Sequence, residues 1–326
     1  MTVESTPVLW MPRALTDPIF QDLSFGAREL VDYFLLMLLE LHEGGNGPWN
    51  VHLEGAKQLI DADASESDVY STRMIQNIIE ELTIFDVFGS TFAVHSPPTM
   101  PLSTRLRANS RDELSSLGGL GCPMEILTII ESVNLQWRTW SNYGISDAST
   151  PHESSLQLIN TALMNLGEFD AEKWADHMQT ACPEQCSITR EHALRLSTIW
   201  KLAAEIYTLH VKVQLIGNTH PTPQVYLLVA EINCFESTNR AIRFLLWPTF
   251  IAGAESTLLE HRQWALTMLD KIWGITHIAN SKTAAIVLMK IWEQYDSKVQ
   301  YSSIQNPKVP SWMAFLSSLG SSWLFL

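Results

Sequence analysis

The stretch Phe244-Leu-Leu-Trp-Pro-Thr-Phe-Ile-Ala-Gly-Ala-Glu-Ser256 decides the fold. It is an apolar run interrupted by Pro248 and Gly253 and closed by Glu255 and Ser256, with His261 and Arg262 soon after. A helix that is apolar all round belongs in an interior. Gly253 and Ala254 then mark a helix pair packed too closely for larger side chains. The stretch predicts buried helix-on-helix packing, and the sequence on either side repeats the helical signal.

Residues 28–43 read as an apolar helix, and residues 50–61 as a shorter one after the Gly44-Gly-Asn-Gly-Pro48 breaker cluster. Ser65-Glu-Ser-Asp68 has the pattern of a capping box, predicting a helix from there to about Ala93. Pro123 opens a helix to about Trp140, Pro151 opens another behind Thr150, and Asp170 caps a third. The longest pattern spans about 187–217. There Leu196, Ile199, Ala203, Ile206, His210 and Val213 advance by threes and fours along one stripe. Thr222-Pro223 starts a helix expected to reach Arg243, followed by helices near 256–274 and 281–298 and a short one after Pro310. No strand-like alternation and no fixed-period repeat is visible. The predicted fold is all-α: a large multi-helix domain of roughly ten helices in antiparallel pairs. Residues 1–27 read as an N-terminal extension, 28–300 as the helical domain, and 301–326 as a segment packing on it. Residues 96–121, rich in Pro and Gly, read as a long loop.

Composition narrows the function. With 326 residues, 46% of them apolar and 17% charged, the chain can bury a sizeable core. Twelve Trp make that core bulky. Lys and Arg total 21 against 35 Asp and Glu, a formal charge of −14. A duplex-binding module presents a clustered basic face. The one basic cluster, Arg105, Arg107 and Arg111, reads as a solvated loop. Acidic balance fits protein or small-molecule partners better. Four cysteines (Cys122, Cys182, Cys186, Cys234) do not make a disulfide framework. No secretory signal is read at Met1-Thr-Val-Glu-Ser5, and no apolar run approaches the ~20 residues of a membrane span. The C-terminal Trp312–Leu326 segment, apolar but broken by four serines and Gly320, reads as docking on the domain, with membrane-surface adhesion the alternative.

The motifs of catalysis are missing. Cys182 and Cys186 form one close pair, and a tetrahedral metal site needs four ligands, so no metal is expected even with His177 and His192 nearby. There is no phosphate-binding loop, no nucleophile elbow and no zinc-protease motif. No cofactor is expected, and the balance leans away from an enzyme. His210 beside Tyr207 reads as a core histidine bonded to a neighbouring helix, with a pocket acid or base as the alternative. Glu255 and His261 read as a structural couple or as an acid–base pair. His52 is expected to bond a loop carbonyl. Trp200, Trp247, Trp264, Trp273 and Trp292 fall on predicted helices, and their indoles are hard to pack with every N–H satisfied. Trp200, Tyr207, Trp247 and Trp264 are therefore the expected lining of a small-molecule site.

The Trp-Pro stretch resembles the signature of the fungal-specific transcription factor domain, the helical region C-terminal to a binuclear zinc cluster in many fungal regulators. Trp49–Ile60, Phe85–Phe92, Ile199–Tyr207 and Lys282–Tyr295 resemble further parts of it, in the family's order. The resemblance implies a nuclear regulator of transcription, often serving a metabolic or secondary-metabolite gene cluster. It also implies a region that senses hydrophobic effectors, restrains activation, or mediates protein contacts and self-association. It supplies no catalytic residues. The zinc cluster needs six cysteines, so this chain is expected not to bind DNA alone. It reads either as a partial product or as a protein whose partner makes the DNA contact. The rival expectation is a recruited non-metal cyclase or dehydratase with an aromatic pocket, using His210, Glu255 and His261.

Overall fold

A computed structural model describes residues 24–62, 73–92, 121–143, 151–181, 189–216, 224–235, 240–301, 311–320 and 322–326. Among them every regular element is helical. The α-helices are α1 (Phe25–Glu43), α2 (Trp49–Ala62), α3 (Arg73–Phe92), α4 (Met124–Tyr143), α5 (Pro151–Glu168), α6 (Ala171–Ala181), α7 (Arg190–Ile216), α8 (Gln224–Asn233), α9 (Leu246–Ala254), α10 (Leu259–Thr276), α11 (Asn280–Tyr301) and α12 (Trp312–Ser318). The Ser65 capping box, the 96–120 loop with its three arginines, and Cys182 and Cys186 lie outside the described residues.

Local chemistry sets the ends. Ser24 Oγ accepts the Ala27 N–H at 3.2 Å to start α1, and Gly44, at φ 139°, closes it by bonding back to Glu40 and Leu41. Asp170 Oδ1 accepts the Lys173 N–H at 2.9 Å and starts α6. Pro248 sits in the first turn of α9, where its missing N–H would have no helical partner. His277 ends α10 in the left-handed conformation at φ 55°, bonding Trp273 O at 2.8 Å.

One helix differs from its sequence reading. α8 stops at Asn233, short of the Arg243 that the pattern predicts. Cys234 and Phe235 close it with bonds to carbonyls three residues back. The chain resumes as a 3-10 turn over Arg240–Leu245. In that geometry residues three apart eclipse, so Ala241 aligns with Phe244 and Ile242 with Leu245, and all four are buried.

Helix α7 is the axle. It contacts α4, α5, α6, α8 and α9. The predicted stripe from Leu196 to His210 is buried, and so is a second face carrying Trp200, Ala204, Tyr207 and Val211. Val213 is only half-buried. In α9 every residue from Leu246 to Gly253 is buried, which makes it the innermost element. One contiguous core runs from Ala27 in α1 to Phe325 near the C-terminus, with a small satellite where Trp174 and Met178 of α6 meet Ala193. The segment from Trp312 onward contributes Trp312, Met313, Leu316, Leu324 and Phe325 to that core.

Candidate functional site

Trp200 and Tyr207 are seven residues apart on α7, which places them on one face two turns apart. That face meets Trp247 of α9. The Trp200 and Trp247 rings stack with centroids 5.5 Å apart and 13° between planes, and Tyr207 meets Trp247 edge-on at 5.9 Å. Phe88 of α3 touches both indoles, at 5.3 and 5.2 Å. The cluster is closed, ring on ring. The Trp200 and Trp247 indole N–H groups are buried there without hydrogen-bond partners. Each such group forgoes about 1–3 kcal/mol of solvation. The indoles of Trp49, Trp292 and Trp312 by contrast all find acceptors. Trp264, the fourth expected lining residue, lies apart on α10 and donates to Asn233 Oδ1 at 2.7 Å.

A polar line leaves the cluster toward the surface. Tyr207 donates its hydroxyl to Asn134 Oδ1 at 2.6 Å, and Asn134 Nδ2 donates to Val87 O at 2.6 Å. One residue back, Asp86 meets Lys57 Nζ at 2.7 Å, and Arg138 Nη1 reaches Ser90 Oγ at 3.4 Å. Burial pushes the Tyr207 phenol up, so it stays protonated and donating. Burial pulls Arg138 down, opposed by the Asp86 charge. Asp86, Ser90, Glu131, Asn134 and Arg138 line a cleft of about 20 Å³, the room of one water rather than of an organic effector. These residues escape a reading that follows apolar stripes. Their signal is present: Ile126, Ile130, Asn134 and Arg138 recur every four residues, so the two polar groups continue a core-facing row.

His210 is the third feature. Its Nδ1 lies 2.5 Å from Glu255 Oε1, and its Nε2 lies 3.1 Å from Ser311 Oγ. Ser311 Oγ also accepts the Ala314 N–H at 3.4 Å as the N-cap of α12. The arrangement that satisfies every atom has Ser311 donating to Nε2 and the Nδ1–H donating to Glu255. Trp312 donates its indole N–H to the same carboxylate at 2.7 Å, with its ring 5.0 Å from the imidazole. Both ring nitrogens are thus engaged in tying α7, the end of α9 and α12 together. The structure brings His210 and Glu255 together and leaves His261 apart, against Tyr226 at 6.1 Å between ring centroids. His52 does not meet a loop carbonyl; its Nε2 faces Glu40 Oε1 of α1 at 3.9 Å.

Among the described residues no three His, Cys, Asp or Glu side chains gather as a metal site, and no helix is long and apolar enough to cross a membrane. Cys122 is buried, and burial pushes its thiol up, so it lacks the character of a reactive thiolate.

The five fragments quoted from the sequence all meet in the fold. A Cβ on Gly89 would overlap the Trp49 ring, and Lys57 pairs with Asp86, so the first two fragments interlock. Trp200 stacks on Trp247, joining the third to the Trp-Pro stretch. Gly253 O accepts the Trp292 indole N–H at 3.0 Å, and a Cβ on Gly253 would stand 2.6 Å from Leu288, joining the stretch to α11. Arg262 then grips Asp296 with both terminal nitrogens, at 2.8 and 3.1 Å, and Ser256 O with Nε at 3.1 Å. Comparison with known proteins agrees. The chain is 22% identical over 317 residues to the acriflavine sensitivity control protein acr-2 of Neurospora crassa, an alignment covering 89% of this chain and 50% of that protein. The chain thus spans about half the length of the curated relative it matches. No solved structure matches. The sequence profile of the fungal specific transcription factor domain matches residues 28–326, and the chain belongs to that family.

Proposed function

We propose that this chain is a transcriptional regulator of fungal type, acting in the nucleus and controlling a metabolic or secondary-metabolite gene cluster. The carrying observation is the family match over residues 28–326, supported by the resemblance to a Neurospora crassa protein named for control of acriflavine sensitivity. The chain works through protein contacts, self-association or a hydrophobic effector. The effector's place is the Trp200–Tyr207–Trp247 cluster. There two buried indole donors lack acceptors, and a ligand oxygen wedged between parted rings would supply one. Contact with DNA comes from outside these 326 residues, whether from a further part of a longer product or from a partner.

A second reading, a recruited cyclase or dehydratase, draws on the 2.5 Å His210–Glu255 contact. One experiment separates the two: transcripts and metabolites compared between a deletion strain and its parent. The regulator reading expects the transcripts of a co-regulated gene set to fall together. Normal transcripts with one accumulating intermediate would overturn it in favour of the enzyme.

A further inference from the structure

The rings of Phe88, Trp200, Tyr207 and Trp247 limit the chemistry of anything bound among them. Two of the walls are parallel: the Trp200 and Trp247 planes differ by 13°, with centroids 5.5 Å apart. Both indoles are 1% exposed, and neither N–H has an acceptor. An indole nitrogen donates and does not accept. A ligand acceptor therefore meets two idle donors. A ligand donor meets only the Tyr207 oxygen, which is already bonded to Asn134 at 2.6 Å. None of these four side-chain types is charged at neutral pH, so an ion among them would lack a counter-ion and be costly to bury. A flat ring system between the indoles replaces one ring–ring contact with two, and Phe88 and Tyr207 meet its rim. A puckered or aliphatic skeleton cannot lie flat against both walls. The stack is closed, so such a site opens with its ligand. Asn134, which holds Tyr207, also lines the cleft between α3 and α4, so a recess lies immediately beyond Tyr207's partner.

We propose that the effector taken by this cluster is an uncharged, flat aromatic carbonyl compound, a ketone or a quinone. It lies between the Trp200 and Trp247 indoles with its oxygen on one of their N–H groups. The inference rests on the reading that the cluster is the effector's place, and it adds the effector's chemical class. Each part of that class answers one feature. Flatness answers the parallel walls, the carbonyl oxygen answers the idle donors, and neutrality answers the uncharged rings. Organic acids, amines and straight-chain compounds each fail one of the three.

The test uses the full chain and three soluble, uncharged probes. Acetophenone is flat and carries the oxygen, ethylbenzene has the ring without the oxygen, and cyclohexyl methyl ketone has the oxygen on a puckered ring. Binding is followed through the indole N–H magnetic resonances, assigned from the Trp200→Phe and Trp247→Phe spectra. Acetophenone is expected to saturate at one per chain and to move both indoles, the donating one downfield. Phenylalanine at the donating position keeps an aromatic wall and removes the N–H. It is expected to weaken acetophenone about five- to tenfold more than it weakens ethylbenzene, the loss of one hydrogen bond. Equal weakening of the two probes by both substitutions overturns the proposal. Movement of the two indoles by cyclohexyl methyl ketone and not by acetophenone also overturns it, while leaving the cluster as the effector's place. Indoles that no probe moves overturn the proposal and that placing together. Should a variant fail to fold, the unaltered chain decides: acetophenone is expected to shift two indole resonances in step, one of them downfield, and ethylbenzene to shift neither downfield. The same downfield shift with both probes would sink the carbonyl assignment.

Discussion

Glu205 sits half-buried on α7, one turn beyond Lys201. Desolvation raises its carboxyl above the ordinary carboxylate range, and the Lys201 charge offsets part of that. An acid whose pKa is raised on folding holds its proton longer in the native state than in the unfolded one. Its contribution to stability is therefore full below the ordinary glutamate range and lost as pH rises through the native value. At neutral pH the charge is a liability. Glu205→Gln is expected to stabilise the protein by about 0.5 kcal/mol at pH 7, with the gain vanishing near pH 4. Paired urea titrations at the two pH values measure it; a gain that is independent of pH would contradict the desolvation argument.

At the scale of elements, what was legible in the sequence follows from how each contact is encoded. The α7 stripe and the start of α6 at Asp170 depend on residues close in sequence, which local pattern exposes; the tightness at Gly253 is against Ala265 and Leu288, and only the small residue itself signals it. The end of α8 is not legible because Cys234 and Phe235 close it through main-chain bonds to carbonyls three residues back, which no side-chain period reports. The candidate site was half-legible. His210 within α7 and Glu255 just past the end of α9 stand out as polar groups beside apolar runs, and the structure joins them. Ser311 and Trp312 complete that knot from 101 and 57 residues away, a separation no local pattern reports. Lys57 and Asp86 are the same kind of case. Helices α2 and α3 are tied by this ion pair, 2.7 Å apart, with Lys57 3% exposed and Asp86 8%. Removing one side of this buried pair is expected to cost about 3–5 kcal/mol for Lys57→Met or Asp86→Leu, with Arg138 the second cation near Asp86. The double variant replaces both charges with apolar volume and is expected to cost less than either single change. A thermodynamic cycle from denaturant unfolding checks this; additive losses would mean the two charges are not coupled.

At the scale of the whole molecule, fragments spread from Trp49 to Tyr295 close on one core, so the chain's distinctive residues are spent on its interior rather than on a binding face. The chain's formal charge is −14. Duplex DNA is a dense line of negative charge, and affinity for it without sequence preference comes almost wholly from clustered cations displacing counterions. That attraction grows as salt falls, so low salt is where even weak DNA binding would show. The purified chain is expected to leave a labelled duplex unretarded at about 50 mM salt and micromolar protein, conditions that retain a basic DNA-binding domain of ordinary non-specific affinity. Self-repulsion from the acidic surface works in the same direction as salt is lowered. A retarded band that weakens with added salt would reveal a basic face strong enough to overcome the net charge. A band that survives competitor DNA of unrelated sequence would show that these 326 residues read bases themselves, and the reading that DNA contact lies outside them would fall.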